Sequence, residues 1–143
     1  MVEMDIKYEG QLRCVALHGP SGNVISTDAP KDNQGRGEAF SPTDLVAAAL
    51  GTCMLTLAGI YAQRHNLDIT GASAHVTKEM VAAPIRRIGK LNVSITLPNT
   101  VPEEHRQLME KAANSCPVSQ SLHPDIEKIV KYIYSGATTK LPH

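Results

Sequence analysis

Two cysteines occupy positions where sulfur can react. Cys53 lies in an apolar, small-residue segment that runs Ala47-Ala48-Ala49-Leu50-Gly51-Thr52-Cys53, and Cys116 directly precedes Pro117. A Cys before a Pro at a helix start lies under backbone N–H groups and the positive end of the helix dipole, and both favour a thiolate. Cys53 has no such help, because burial disfavours the charged form and raises a thiol pKa. On local grounds Cys116 is therefore the easier thiolate. Each residue alone also has a plain structural reading: a buried free Cys behaves as a small hydrophobe, and Cys116 can simply cap its helix. No local rule joins them, for they form no CxxC pair. Cys14 falls in a strand-like stretch and is expected to be inert.

The count of three cysteines, with no export signal in Met1-Val2-Glu3-Met4-Asp5, does not suggest a disulfide framework. In a reducing compartment a Cys pair is more often catalytic, redox-active or metal-binding than structural. A cytoplasmic protein is expected. The six histidines, at 18, 65, 75, 105, 123 and 143, are scattered, and no tight Cys/His cluster suggests zinc. No metal or cofactor is expected. His65 ends a helix, a usual place for a cation, and His123 precedes Pro124 in a solvated loop. Nothing in the spacing favours a Cys–His hydrolase.

The elements that must position the two thiols follow from periodicity. Met4, Ile6 and Tyr8 alternate with Asp5 and Lys7 as in a half-buried strand. A turn at Gly10-Gln11 leads to a second strand, Leu12 to Leu17. Gly19-Pro20-Ser21-Gly22 turns the chain into a third, Asn23 to Thr27. A polar loop, Ala29 to Ala39, ends at Ser41-Pro42-Thr43-Asp44. There Ser41 suits the N-cap, Pro42 the first helical position, and Asp44 closes a capping box. The helix should run to about His65, with Asn66 capping its end. Its middle is apolar all round, which predicts burial of most of its circumference. The uncharged run from Leu45 to Ala62 is of marginal length for a membrane span; Gly51, Thr52, Thr56 and Gly59 within it favour a buried core helix, and no membrane is expected.

A hairpin pattern follows. Leu67 to Val81 is strand-like, and Leu91, Val93, Ile95 and Leu97 alternate with Asn92, Ser94 and Thr96. Arg86 and Arg87 fall in the predicted turn and look like surface charge. Pro102-Glu103-Glu104 opens a second helix with Leu108, Met109, Ala112 and Ala113 on its apolar side. Ser115-Cys116-Pro117 starts a short helix to about Leu122, and a strand spans roughly Ile126 to Tyr134. Strands and helices segregated in this way imply an α+β protein with antiparallel sheets, in a single domain covering 1–143. With 42% hydrophobic residues, one Phe, four Tyr and no Trp, the core must be built from small and aliphatic side chains. A core of this kind gains from burying a second copy, so a homodimer is expected. Fourteen acidic and fourteen basic residues balance, and the absence of a basic block argues against nucleic acid as a partner.

Ser41-Pro42-Thr43-Asp44-Leu45 followed by Ala47 to Cys53 resembles the helix start and Cys-bearing helix of the OsmC/Ohr family, and Asn114-Ser115-Cys116-Pro117-Val118-Ser119 resembles its second Cys segment. The element order matches over nearly the whole chain. The resemblance implies an intertwined α+β homodimer, with sheets packed around a long central helix and two active sites at the subunit interface. It implies a thiol-dependent peroxidase acting on organic hydroperoxides in oxidative-stress defence. Cys53 would attack the peroxide and become a sulfenic acid; Cys116 would condense with it to a disulfide, which an external dithiol reduces. In the family an Arg salt-bridged to a Glu activates the first Cys. The Glu position, ten residues before Cys53, is Thr43 here, and the nearby acid is Asp44. At about 100° and 1.5 Å per residue, neither can reach Cys53 along one continuous helix, so an activating group from this helix start would have to come from the other subunit. For the Arg, Arg13 in the early strands and Arg36 in the loop before the helix are the candidates, with Arg13 slightly favoured. The missing Glu leaves room for an alternative in the same family: a weakly active or non-enzymatic redox-sensing or small-molecule-binding protein.

Overall fold

The structure, a computed structural model, describes residues 1–136; of the six histidines His143 lies outside them. The chain forms two compact units, Met1–Val46 and Ala47–His143. Three strands, a long helix, two strands, two helices and a strand follow one another, the α+β order expected.

In the first unit, β1 (Met4–Gly10), β2 (Arg13–His18) and β3 (Val24–Asp28) form an antiparallel meander. The first turn centres on Gln11-Leu12, one residue later than expected. Both residues have positive φ, 53° and 62°, as a tight primed hairpin turn requires. Register places Met4, Ile6 and Tyr8 on the face that carries Ala16 and Ile25. That face is apolar yet open, with Ile6 65% exposed.

The long helix α1 (Pro42–Arg64) starts as its residues dictate. The Ser41 N–H donates to Asp44 Oδ2 at 2.9 Å, and the Asp44 N–H donates to Ser41 Oγ at 3.1 Å, which is the complete capping box. Its end follows the αL rule: Asn66 has φ 55°, and the Leu67 N–H reaches back to the Ala62 carbonyl at 2.8 Å. By length and composition α1 could cross a membrane. Instead, one stripe of it, Ala47, Leu50, Gly51, Met54, Ala58 and Ala62, is buried. Gly51 is pressed so close to the next strand that a Cβ there would lie 2.9 Å from Val76 Cγ2. The rest of the apolar circumference is half-buried or exposed, less covered than its composition predicted.

The second unit carries a sheet ordered β4 (Ser73–Val81), β5 (Arg87–Pro98), β6 (Glu127–Ser135). The central strand β5 buries Leu91, Val93, Ile95 and Leu97 in strict alternation, and these form the core with Leu50, Met54 and Met109. β4 starts at Ser73 instead of Leu67. Asp68 Oδ1 accepts the Thr70 N–H at 2.8 Å, a local turn that competes with strand pairing. The expectation of purely antiparallel sheets fails at β6, which pairs parallel to β5. Helices α2 (Glu103–Asn114) and α3 (Pro117–Ser121) form a crossover that brings the chain back to the same end of the sheet, and a connection of that length allows parallel pairing. On α2, Met109 and Ala113 are buried as expected, whereas Leu108 is exposed.

Candidate functional site

Sulfur chemistry is concentrated in the second unit. Cys53 stands on the twelfth residue of α1, one position before the buried Met54, and is half-buried. Cys116 is the N-cap of α3 and is 0% exposed. Its Sγ accepts the Ser119 N–H at 3.1 Å, the bond that the sequence Cys116-Pro117 foretells. The two thiols are neighbours close enough for Cys53 to raise the Cys116 pKa, and both are reduced. A helix and a helix cap separated by about half the chain therefore bring together two sulfurs that no local motif connects.

The electrostatic expectation for Cys116 is reversed. Burial pushes its thiol above the ordinary value of 9.0, the Ser119 N–H pulls it down, and the neighbouring Cys53 raises it again, with a smaller lowering from the Val118 N–H. The dipole of a five-residue helix is too weak to offset complete loss of solvent. Cys116 is thus a thiol kept neutral and dry, not the easier thiolate. No histidine figures among the groups that shift it, which leaves a Cys–His pair at this sulfur without support.

A polar network flanks the cap. Tyr132 on β6 donates from its hydroxyl to Asn114 Oδ1 at 2.6 Å and to the Glu110 carbonyl at 3.2 Å. Burial, Glu110 and Cys116 push the Tyr132 phenol up to about 12, so it is a neutral donor across the working pH range. Two residues on, the Tyr134 hydroxyl meets Glu110 Oε2 at 2.9 Å, and the Arg106 guanidinium covers its ring at 4.2 Å. A separate cluster joins the Tyr61 hydroxyl to His105 Nδ1 at 2.9 Å, with the His65 ring 4.2 Å from that of Tyr61. His65 is therefore part of an aromatic cluster as well as of the helix end. His123 is exposed, as expected.

The first unit holds the candidate cations. Arg13 grips Asp28 with two bonds, Nε to Oδ1 and Nη2 to Oδ2, each 2.7 Å, and its Nη2 also reaches Glu38 Oε2 at 3.2 Å. Asp28 is 1% exposed, and the Glu38 N–H donates to its Oδ2 at 3.1 Å. The Arg13 guanidinium holds the Asp28 carboxyl below its ordinary value, and Asp28 in turn raises Arg13. The loop closes around this clamp because Gly35 lies against Ala29, where any Cβ would fall 1.7 Å from the Ala29 carbonyl oxygen. Arg36 is exposed and acts on Asp28 only through space, as the last of its influences. Thr43 Oγ1 lies 3.2 Å from Ser41 Oγ, and Asp44 closes the capping box, so both belong to the start of α1.

Asp28, Glu38, Tyr132 and Asn114 escaped sequence reasoning. A signal for Asp28 existed: across the turn at Gly19-Pro20-Ser21-Gly22, His18 faces Asn23, and five residues outward on each side reaches the Arg13–Asp28 pair. No comparable signal marks Tyr132.

Comparison with known proteins agrees with this fold. The family model for OsmC-like protein matches residues 35–130. A search of curated proteins finds no match. Among solved structures, a Psychrobacter arcticus protein described as an osmotic stress induced and detoxification response protein is 45% identical, with a TM-score of 0.87 over 92% of this chain and 96% of that one. An organic hydroperoxide resistance protein OsmC from Legionella pneumophila shares the fold at 16% identity, with a TM-score of 0.71 over 93% and 96% of the two chains. An OsmC-like protein from Mycoplasma pneumoniae does so at 17% identity, with a TM-score of 0.73 over 94% and 98%. The family match over residues 35–130 and a 45% identical structure aligned over 92% of this chain place it in the OsmC/Ohr family.

Proposed function

We propose that the protein is a Cys-based hydroperoxide reductase in which Cys53 attacks and Cys116 resolves. The observation that carries this reading is the proximity of a half-buried Cys53 thiol to a fully buried Cys116 thiol, close enough for the first to shift the second. The accessible sulfur meets substrate, and the dry one waits behind it. The Cys53 thiolate attacks one peroxide oxygen, the O–O bond breaks, and the alkoxide leaves as an alcohol after taking a proton. Cys53 is then a sulfenic acid. The Cys116 sulfur displaces hydroxide from it, which departs as water with the Cys116 proton, and a Cys53–Cys116 disulfide remains. An external dithiol returns both residues to thiols. The apolar small-residue helix suits an organic hydroperoxide.

Arg13 is the cation of the proposed mechanism, and Asp28 and Glu38, which it grips, stand in for the acid that the family sets at the Thr43 position. The working form is a cytoplasmic homodimer, each chain a single functional domain. The open apolar face of the first sheet, bearing Met4, Ile6, Tyr8 and Ile25, supports a second copy as its cover, since soluble chains rarely leave such a patch bare. A slower, redox-sensing role has one observation in its favour: the raised Cys116 pKa retards disulfide closure near neutral pH.

The test is peroxide consumption by the reduced protein with cumene hydroperoxide and a dithiol. Cys53→Ser should abolish turnover. Cys116→Ser should consume one equivalent and stop at the sulfenic acid. Wild-type turnover in both variants would sink the proposal, and single-turnover oxidation without cycling in the wild type would favour the sensor.

A further inference from the structure

The last strand of the sheet reaches across to the segment that carries Cys116. Tyr132 and Tyr134 lie two residues apart on β6 and so share a face, and both hydroxyls meet α2, the helix whose last residue, Asn114, stands two positions before Cys116. They grip it differently. Tyr134 holds the Glu110 carboxylate one turn back, under the Arg106 guanidinium. Tyr132 alone holds the final turn, through Asn114 Oδ1 at 2.6 Å and the Glu110 carbonyl at 3.2 Å. The chain then passes through Ser115, whose hydroxyl and N–H both return to the Ala112 carbonyl at 2.7 and 3.2 Å, into the Cys116 cap. The residues that lead from the end of α2 into Cys116 are thus held from the β6 side at Asn114 and from α2 itself at Ser115.

We propose that Tyr132, through Asn114, is a positioning residue for the resolving step, holding Cys116 Sγ in line with Cys53 for disulfide closure. Its hydroxyl bonds to α2 and not to either sulfur. Displacement at sulfur needs the attacking atom in line with the bond that breaks, so a small shift of the cap costs rate without costing the fold. Tyr132 stays protonated over the working range, and its role is that of a neutral donor that fixes geometry. The inference rests on the thiol-pair reading but not on peroxide chemistry.

The experiment accordingly loads Cys53 with 2,2′-dithiodipyridine in a Cys14→Ser background. The Cys53 thiolate attacks the probe disulfide, breaks it, and releases one pyridinethione. The Cys116 thiolate then attacks Cys53 Sγ, breaks the mixed disulfide and releases the second, its own proton having gone to solvent. The two releases are timed separately. Tyr132→Phe should leave the first release unchanged and slow the second about tenfold. Asn114→Leu should do the same, and the double variant should be no slower than either single one. Tyr134→Phe should close at the wild-type rate. The pH midpoint of closure separates positioning from general loosening: a loosened cap would hydrate Cys116 and move the midpoint down, whereas a misaligned one lowers the plateau and leaves the midpoint in place. Wild-type closure in Tyr132→Phe overturns the inference, as does equal slowing by Tyr134→Phe, a downward midpoint, or a wild type that never releases the second thione. Normal closure without peroxide turnover would count against the peroxidase proposal alone.

Discussion

The two units hold their reactive groups by opposite physics. Around Arg13 the first unit uses charge: two 2.7 Å bonds to Asp28, a third contact to Glu38, and a carboxyl held below its ordinary value. Around Cys116 the second unit uses exclusion of water: a fully buried sulfur, one N–H bond, and a thiol raised above its ordinary value. An ionised group is kept ionised by a fixed counter-charge, and a neutral group is kept neutral by packing. The difference teaches that a helix start does not by itself make a thiolate. At Cys116 the cap and the burial act on the same atom, and burial wins.

The largest expected effect breaks the packed side of this comparison. Ile95→Ala empties part of the β5 core and should cost about 3 kcal/mol in denaturant unfolding. Unchanged stability in this variant would mean that the packing of β5 does not hold the second unit together. The charged side is broken by Arg13→Leu, which on the proposed mechanism should lower peroxide turnover about a hundredfold, the usual scale for removing one electrostatic stabiliser. Asp28→Asn keeps the shape of the clamp but removes its counter-charge, and should give a smaller loss in the same assay. Full activity in Arg13→Leu would remove the cation from the mechanism.

The contrast also sets the pH limits of stability. Asp28 has a folded pKa below its unfolded value, so its contribution is present above the ordinary 3.8 and is lost as the pH falls through the depressed value. Cys116 is an acid with a folded pKa above its unfolded one, so its contribution is present below the ordinary 9.0 and is lost as the pH rises through the raised value. Melting curves across pH should therefore show an acid limb that Asp28→Asn flattens and an alkaline limb that Cys116→Ala flattens. If each substitution flattened the other limb, the assignment would be wrong.

What was legible in the sequence was local. The capping box at Ser41 and Asp44, the Asn66 end cap, the alternation of β5 and the Cys116 cap each depend on residues within a few positions, and each forms as expected. What was not legible was set by distant neighbours. The parallel pairing of β6 depends on where a crossover lands. The sign of the Cys116 shift depends on a core assembled from other elements. Tyr132 reads as one more alternating strand residue until Asn114 is found opposite its hydroxyl. Thr43 and Asp44 are explained by the start of α1, and the acids that meet Arg13 came from strand register and a glycine-closed loop, signals that require two elements to be placed at once.

The smallest expected effect sharpens what the cap still does once burial has won. Cys116→Ser replaces sulfur with a hydroxyl that can accept the same Ser119 N–H, and Ser is among the preferred N-cap residues. Cys116→Ala removes the acceptor and leaves that N–H without its partner at the start of α3. Both variants abolish the resolving thiol, so they differ in the cap alone. Cys116→Ala should therefore be the less stable of the two by about 1 kcal/mol, the usual worth of an N-cap. Equal stability would show that the Ser119 N–H finds water when the sulfur is gone, and that packing alone holds this turn. A more stable Ala variant would show that burying a hydroxyl costs more than the cap returns, which would extend to oxygen the same dominance of burial that the raised thiol pKa shows for sulfur.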